Sequence, residues 1–248
     1  AQPIALDGMH DIYKKQKEPI PLTDVAQRIG EPHIKIDLNK VYAVVESDEL
    51  DQTTPQKESK QELIQIAQNL IGFLDKEIQR MPEGKLPPLQ TGFGNLATEI
   101  ARAIGKTAWT DLTFFCGGIT EAVVELIVAG KVRMASTGSI QMTPQTVSLF
   151  NEKPAWFHDR IILRPTYITN QSETINRMGL IALTSGIEVD IYGNVHSSHI
   201  TGITVINWIG GGANFAQNAA LSIVLIPSEN KNGDIPAIVP MVSHQDIC

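Results

Sequence analysis

Leu86-Pro-Pro-Leu-Gln-Thr-Gly-Phe-Gly-Asn95 is the stretch whose reading decides the fold. An apolar segment, 86–91, runs into a turn built on Gly92 and Gly94, and apolar side chains then recur at helical spacing over 95–104. Strand, glycine turn, helix is the repeating unit of an α/β domain. The same grammar continues downstream. Strand-like segments fall at 112–115, 132–135, 160–164, 180–184, 205–206, 221–226 and 237–242, with helix-like segments at 120–129, 144–150, 171–177 and 214–218. Short apolar runs separated by amphipathic helices predict an α/β fold with a mostly parallel sheet and flanking helices.

Upstream the pattern is different. Residues 1–58 are irregular and punctuated by Pro3, Pro19, Pro21, Pro32 and Pro55, with one short strand expected at 41–46 and a polar surface loop at 48–59. Ser59-Lys-Gln-Glu62 has the spacing of a capping box, in which the serine and the glutamate each satisfy an amide at a helix start. Leu63, Ile66, Ala67, Leu70, Ile71, Leu74 and Ile78 then trace one apolar helix face. Met81-Pro-Glu-Gly-Lys-Leu-Pro-Pro88 stops that helix and marks a boundary between residues 1–84 and 85–248.

Composition narrows the function. The chain of 248 residues is long enough for one large domain or two lobes, and its formal charge of −7 argues against a nucleic-acid surface. Cys116 and Cys248 form neither a disulfide framework nor a zinc pattern, so a reducing compartment and no metal are expected. No apolar run reaches the roughly 20 residues a bilayer requires, so no membrane partner is expected. No signal peptide is visible, though a chain that starts at Ala1 leaves a removed leader open.

Four places have the residue types for chemistry. In Gly179-Leu-Ile-Ala-Leu-Thr-Ser-Gly-Ile-Glu-Val-Asp-Ile-Tyr-Gly-Asn194 an apolar strand delivers Glu188 and Asp190 to a turn. Spaced i, i+2 on extended backbone, the two acids face the same side. Glu188 is either a nucleophile or general base, or a carboxylate that caps a turn or pairs with a basic residue. The turn Gly92, Phe93, Gly94, Asn95 leaves amides at a helix start, suited to an oxyanion or simply to a tight turn. Gly210, Gly211 and Gly212 lead into a short helix, either beside a ligand or in close helix–sheet packing. Lys231 stands in a polar loop after a strand, where it meets an anionic ligand or only solvent. His196, His199 and His244 read as surface or supporting residues rather than metal ligands, and Cys116 as a small buried residue.

Six segments taken in order carry a resemblance. They are Gly8-Met-His-Asp-Ile-Tyr13, Val44-Val-Glu-Ser-Asp48, the 86–95 stretch, Arg160-Ile-Ile-Leu-Arg-Pro165, Ile187-Glu-Val-Asp-Ile-Tyr-Gly-Asn194 and Ile238-Val-Pro-Met-Val-Ser-His244. Together they resemble the acetyl-CoA hydrolase/transferase family, class I CoA-transferases that include succinyl-CoA:acetate CoA-transferases. The resemblance implies two similar α/β lobes with the active site between them. It implies Glu188 as the nucleophile that attacks an acyl-CoA thioester, giving an acyl-glutamyl anhydride and then a glutamyl–CoA thioester. An acceptor carboxylate takes the CoA, or water hydrolyses it.

By the same resemblance Gly92, Gly94, Asn95, Gly210, Gly211, Gly212, Asn214 and Lys231 border the CoA and oxyanion site. Coenzyme A is then a substrate rather than a resident cofactor. The partners are acyl-CoA and a small carboxylate, in the cytoplasm or mitochondrial matrix, with a homo-oligomer or a complementary chain expected. The chain also departs from the family. Cys116-Gly117-Gly118 stands where an acidic residue is usual, and Asn214 where an aspartate is usual. Both ends of the family's chain are missing, which implies a piece of a longer protein or a shortened paralogue. A catalytically inactive CoA-binding or regulatory paralogue is therefore the rival reading, and a sugar-phosphate isomerase-like enzyme the third.

Overall fold

The computed structural model of the protein describes residue 6 and residues 8–14, 18–47, 53, 59–201, 203–230 and 235–243. Its strands, in chain order, are β1 (Leu89–Gln90), β2 (Leu112–Cys116), β3 (Val132–Thr137), β4 (Ile161–Leu163) and β5 (Ile181–Ser185). Then come the short β6 (Glu188–Asp190), β7 (Val195–His196), β8 (His199–Ile200) and β9 (Thr204–Val205), followed by β10 (Leu221–Leu225), β11 (Glu229–Asn230), β12 (Ile235–Pro236) and β13 (Ile238–Val239). Six of these form one sheet in the order β10-β5-β1-β2-β3-β4, with every neighbouring pair parallel. The chain builds outward from β1 to β4 in one direction and returns to place β5 and β10 on the other side. The reversal lies between β1 and β5, and in open parallel sheets ligands bind beyond the carboxyl ends of the strands at such a reversal.

The helices are α1 (Gln61–Ile78), α2 (Asn95–Gly105), α3 (Glu121–Val128), α4 (Pro144–Glu152), α5 (Pro154–His158), α6 (Thr166–Thr169), α7 (Ser172–Met178) and α8 (Gly212–Asn218). They cover both faces of the sheet because its strands are apolar on both. In β2, Phe114 belongs to one apolar cluster with Leu89, Ile100 and Ile181, while its neighbour Phe115 belongs to another with Ile168, Ile175 and Ala182. Alternation along a strand sends adjacent side chains to opposite faces. Burying each ring contributes about 1.5–3 kcal/mol. The sequence pattern of α1 holds, with Ala67, Leu70 and Leu74 buried on one stripe.

The expected boundary at residue 84 separates no second core among the described residues. Met9, Ala67, Leu70 and Leu74 join the cluster that contains the sheet's Leu89 and Phe114, and Tyr13, Leu22 and Val25 join the other. The N-terminal segment is fastened to the sheet edge. His10 bridges Leu163 of β4, and Asp11 N–H donates to Leu163 O at 2.9 Å. The fastening centres on Arg164, whose side chain is shut off from solvent. Its guanidinium donates to the Asp11 carboxylate, to Ser136 Oγ at 2.5 Å and to the Gln27 carbonyl. Asp11 in turn accepts from the amides of Ile29 and Gly30. Burial pulls the Arg164 guanidinium below its ordinary pKa, and Asp11 pulls it back up.

Three local expectations fail. Residues 41–46 form no ladder, and Tyr42, Val44 and Val45 lie exposed, because no described strand lies beside them. The capping box is absent: Lys60 is the N-cap of α1 without a side-chain cap, and Ser59 Oγ donates instead to Glu99 Oε1 on α2 at 2.7 Å. That bond ties the start of α1 to its neighbouring helix. Residues 237–242 do not extend the main sheet; their β13 pairs in parallel with β6. Most of the expected 48–59 loop lies outside the described residues.

Asp11→Ala leaves a buried guanidinium without its counter-charge and is expected to cost about 3–5 kcal/mol. A shift of the urea midpoint at unchanged slope measures it. Loss under about 1 kcal/mol would mean that the pair does not hold the N-terminal segment.

Candidate active site

A cavity of about 500 Å³ opens at the carboxyl ends of the strands, beside the reversal between β1 and β5. Thr91 follows β1, Gly117 follows β2, Ser139 follows β3, and Ser185 and Leu225 end β5 and β10; all five line it. One wall is Gly92 and Phe93 before α2, and the opposite wall is Asn207 to Gly212. Gly94 closes the first turn with φ 98°, a value that L side chains rarely adopt. It is the N-cap of α2, so free amides begin α2 next to the cavity.

Between the walls stands Asn170, directly after α6. Thr169 Oγ1 donates to Asn170 Oδ1 at 2.9 Å, which fixes the carboxamide so that Nδ2 is the free donor end. The group is wedged between two glycines. A Cβ on Gly117 would lie 2.8 Å from Asn170 Oδ1, and a Cβ on Gly211 would lie 2.3 Å from Nδ2. Asn214 Nδ2 donates to the Asn170 carbonyl at 2.8 Å and fixes the backbone as well. Gly117, Gly211 and Asn214 are thus explained by one residue that sequence reading passed over. Asn170 has no local signature, since its place depends on where α6 docks.

The cavity lining is neutral. It holds Gln90, Thr91, Ser139, Asn170, Thr184 and Ser197 among apolar and glycine residues, and no described acidic, basic, histidine or cysteine side chain. Gln90, Thr91 and Thr184 are nevertheless buried polar residues with side-chain oxygens that have no hydrogen-bond partner.

Glu188 is not part of this cavity, which corrects the sequence expectation. It is buried on β6, with Oε2 at 2.9 Å from His196 Nε2 and Oε1 accepting from the Thr201 amide at 2.6 Å. It borders a separate cavity of about 270 Å³ with Thr201, Ile235, Pro236, Val239 and Met241. The i, i+2 spacing did place both acids on one buried side, but their roles are structural contacts. Asp190 accepts from the Tyr192, Asn194 and Val242 amides and from Asn194 Nδ2. Burial pushes its carboxyl up, and these hydrogen bonds, led by Asn194, outweigh burial and hold it below the usual carboxylate range.

Of the other expected site residues, Gly92, Gly210, Gly211 and Gly212 line the larger cavity, whereas Gly94, Asn95 and Asn214 stand behind its walls. Lys231 and His244 lie outside the described residues. His196 is not on the surface but fully buried; its neighbour His199 meets Ser198 Oγ at 2.8 Å. The turn Tyr192-Gly-Asn194 was the signal that would have placed His196 opposite Glu188, since it folds β7 back on β6. Cys116 is buried and its thiol is pushed up to about 12 by desolvation, which fits the small-residue reading. Among the described residues there is no cluster of three or more His, Cys, Asp or Glu placed for a metal, and no helix long and apolar enough to cross a membrane.

Comparison with known proteins agrees with this geometry. Residues 153–248 match the acetyl-CoA hydrolase/transferase C-terminal domain. Along 99% of its length the chain is 39% identical to a succinyl-CoA:acetate CoA-transferase of Clostridium kluyveri, covering 47% of that protein. It is 35% identical over 98% of its length to an acetyl-CoA hydrolase of Schizosaccharomyces pombe, covering 48% of it. The chain spans about half the length of the curated relatives it matches. In fold it is similar to a 4-hydroxybutyrate CoA-transferase of Porphyromonas gingivalis, at a TM-score of 0.62 and 21% identity over 85% of this chain and 50% of that one.

Two outcomes follow from the packing. Gly211→Ala is expected to cost about 1–3 kcal/mol through collision with Asn170, and Asn170→Ala in the same chain to recover most of it, as a double-mutant cycle by denaturant will read. Iodoacetamide is expected to leave the Cys116 peptide unmodified in the folded protein and to label it after unfolding, as peptide mass spectrometry reports.

Proposed function

We propose that this chain, a member of the acetyl-CoA hydrolase/transferase family, seats an acyl-CoA thioester in the larger cavity and releases or transfers its CoA. The products are a CoA ester of a small carboxylate, or free CoA and acid when water is the acceptor. The observation that carries this reading is the neutral, donor-bearing cavity at the reversal of a parallel sheet, in a chain similar along its length to CoA-transferases and acetyl-CoA hydrolases.

Attack on a thioester carbonyl puts negative charge on its oxygen before the C–S bond breaks and the thiolate leaves. Fixed donors aimed at that oxygen are worth most where water is excluded. Asn170 Nδ2 is held by Thr169, Gly117 and Gly211, and is the side-chain donor best prepared for that role. The backbone around Gly92 and Gly211 supplies further amides at the two walls. CoA enters as substrate, and small carboxylates are the acceptors.

A second reading is favoured by one observation: no carboxylate lines this cavity, and Glu188 is committed to His196 and Thr201. A chain that binds acyl-CoA without a covalent glutamyl step meets that constraint. The isomerase-like reading loses its support, because no described cationic side chain lines the cavity to meet a phosphate. The exposed Ile36, Leu38, Tyr42, Val44 and Val45 favour assembly with a further chain or copy. An unpaired, buried Cys116 suits a reducing compartment, the cytoplasm or the mitochondrial matrix.

Incubation with acetyl-CoA or succinyl-CoA, with and without acetate, is expected to release thiol or exchange CoA above the blank rate. Intact mass and borohydride trapping are expected to give no adduct on the peptide containing Glu188. CoA binding without thiol release would select the second reading, and no binding of CoA at millimolar concentration would overturn both.

A further inference from the structure

We propose that Glu188 is a positioning residue: with His196 it braces the two hairpins that carry the outer wall of the larger cavity. The inference concerns the site described above and rests, for its effect on CoA handling, on the proposed function. Glu188 on β6 and His196 on β7 are direct partners in an antiparallel pair, and their side chains meet at 2.9 Å. The second carboxylate oxygen crosses to the next hairpin and accepts from the Thr201 amide at 2.6 Å.

Thr201 is the strained point of that hairpin. Its φ is 54°, in the left-handed region, where a β-branched residue is an outlier that its surroundings must enforce. A buried carboxylate holding its amide supplies that enforcement. From there the chain runs through β9, and Ile206 and Asn207 donate their amides back to the Ser198 carbonyl at 2.8 and 3.2 Å. Asn207, Trp208, Ile209 and Gly210 then form the cavity wall, and Ser197, the residue after His196, lines the cavity too. One carboxylate thus fixes both ends of the segment between Ser197 and Gly210.

The hydrogen bonds assign the histidine tautomer. His196 Nδ1 is buried without a partner, so the proton belongs on Nε2, where Glu188 accepts it. Both neighbours of the carboxylate are therefore donors. An amide at this position has one acceptor and one donor end. Glu188→Gln then forces His196 to move its proton to Nδ1, which has no acceptor, or leaves the Thr201 amide unpaired at its strained turn. His196→Gln places a side-chain N–H close to where Nε2 stands and preserves the acceptor role of Glu188. His196→Asn is too short to do so.

Amide hydrogen exchange reads the brace in the full chain without substrate. Glu188→Gln and His196→Asn are expected to speed exchange about tenfold in 198–212 while β2, β3 and β5 stay unchanged, and His196→Gln is expected to match the wild type. In CoA titrations and thiol-release assays the first two variants are expected to raise the acyl-CoA half-saturation about tenfold, equivalent to about 1.4 kcal/mol, with kcat within about threefold. Unchanged exchange in 198–212 for both variants overturns the brace. So does loss of turnover in Glu188→Gln with half-saturation and exchange intact, the signature of a nucleophile. If the wild type neither binds CoA nor releases thiol, the proposed function fails on its own, and the exchange data still decide the brace.

Discussion

A guanidinium with no access to water survives only if every one of its donors finds an acceptor and its charge finds a partner. Arg164 meets that demand with material drawn from three places: Ser136 on β3, the carbonyl of Gln27 and the carboxylate of Asp11. The requirement runs in both directions, because Asp11 is equally buried and also holds the amides of Ile29 and Gly30. The N-terminal segment is therefore not an appendage. It is the counter-charge of the sheet. The consequence reaches the cavity as well, since Pro165 and α6 follow Arg164 immediately and α6 delivers Asn170.

The cavity itself is built on the opposite principle. Its lining holds no described ionisable side chain, so whatever charge develops there meets only fixed dipoles. Such dipoles need no reorganisation when charge appears, which suits a thioester carbonyl that is neutral on arrival and anionic for an instant. Ionised carboxylates are kept nearby but spent on structure: Asp190 closes the β6–β7 turn, and Glu188 joins two hairpins. The chain places its charges where they tie segments together, and its donors where a substrate fits.

Much of this was legible in the residues. Strands buried on both faces must be continuous apolar runs, so the parallel sheet could be read from 112–115, 180–184 and 221–226 without any partner information. The segments 8–13 and 160–165 were each recognisable alone, and the Asp11–Arg164 pair gives the reason that both matter. The buried side of Glu188 and Asp190 followed from the strand period. What the period could not give was the partner. A carboxylate on a buried strand end has the same sequence signature whether it attacks a substrate or accepts from a histidine across a hairpin. Ser59 failed as a cap for a similar reason, because Glu99 on a neighbouring helix competed for its hydroxyl. The exposed 41–46 run shows that β-branched composition makes a strand only where a second strand lies beside it.

The wedge formed by Gly117, Asn170 and Gly211 bears on descent. Three codons far apart in the gene specify one shape, and each constrains what the others can become. A lineage that gains a side chain at either glycine must first shorten or swing away the asparagine, so the order in which such changes arise is dictated by geometry rather than by chance. Any relative that carries a larger residue at one of these positions should betray, at the other two, the route by which it got there.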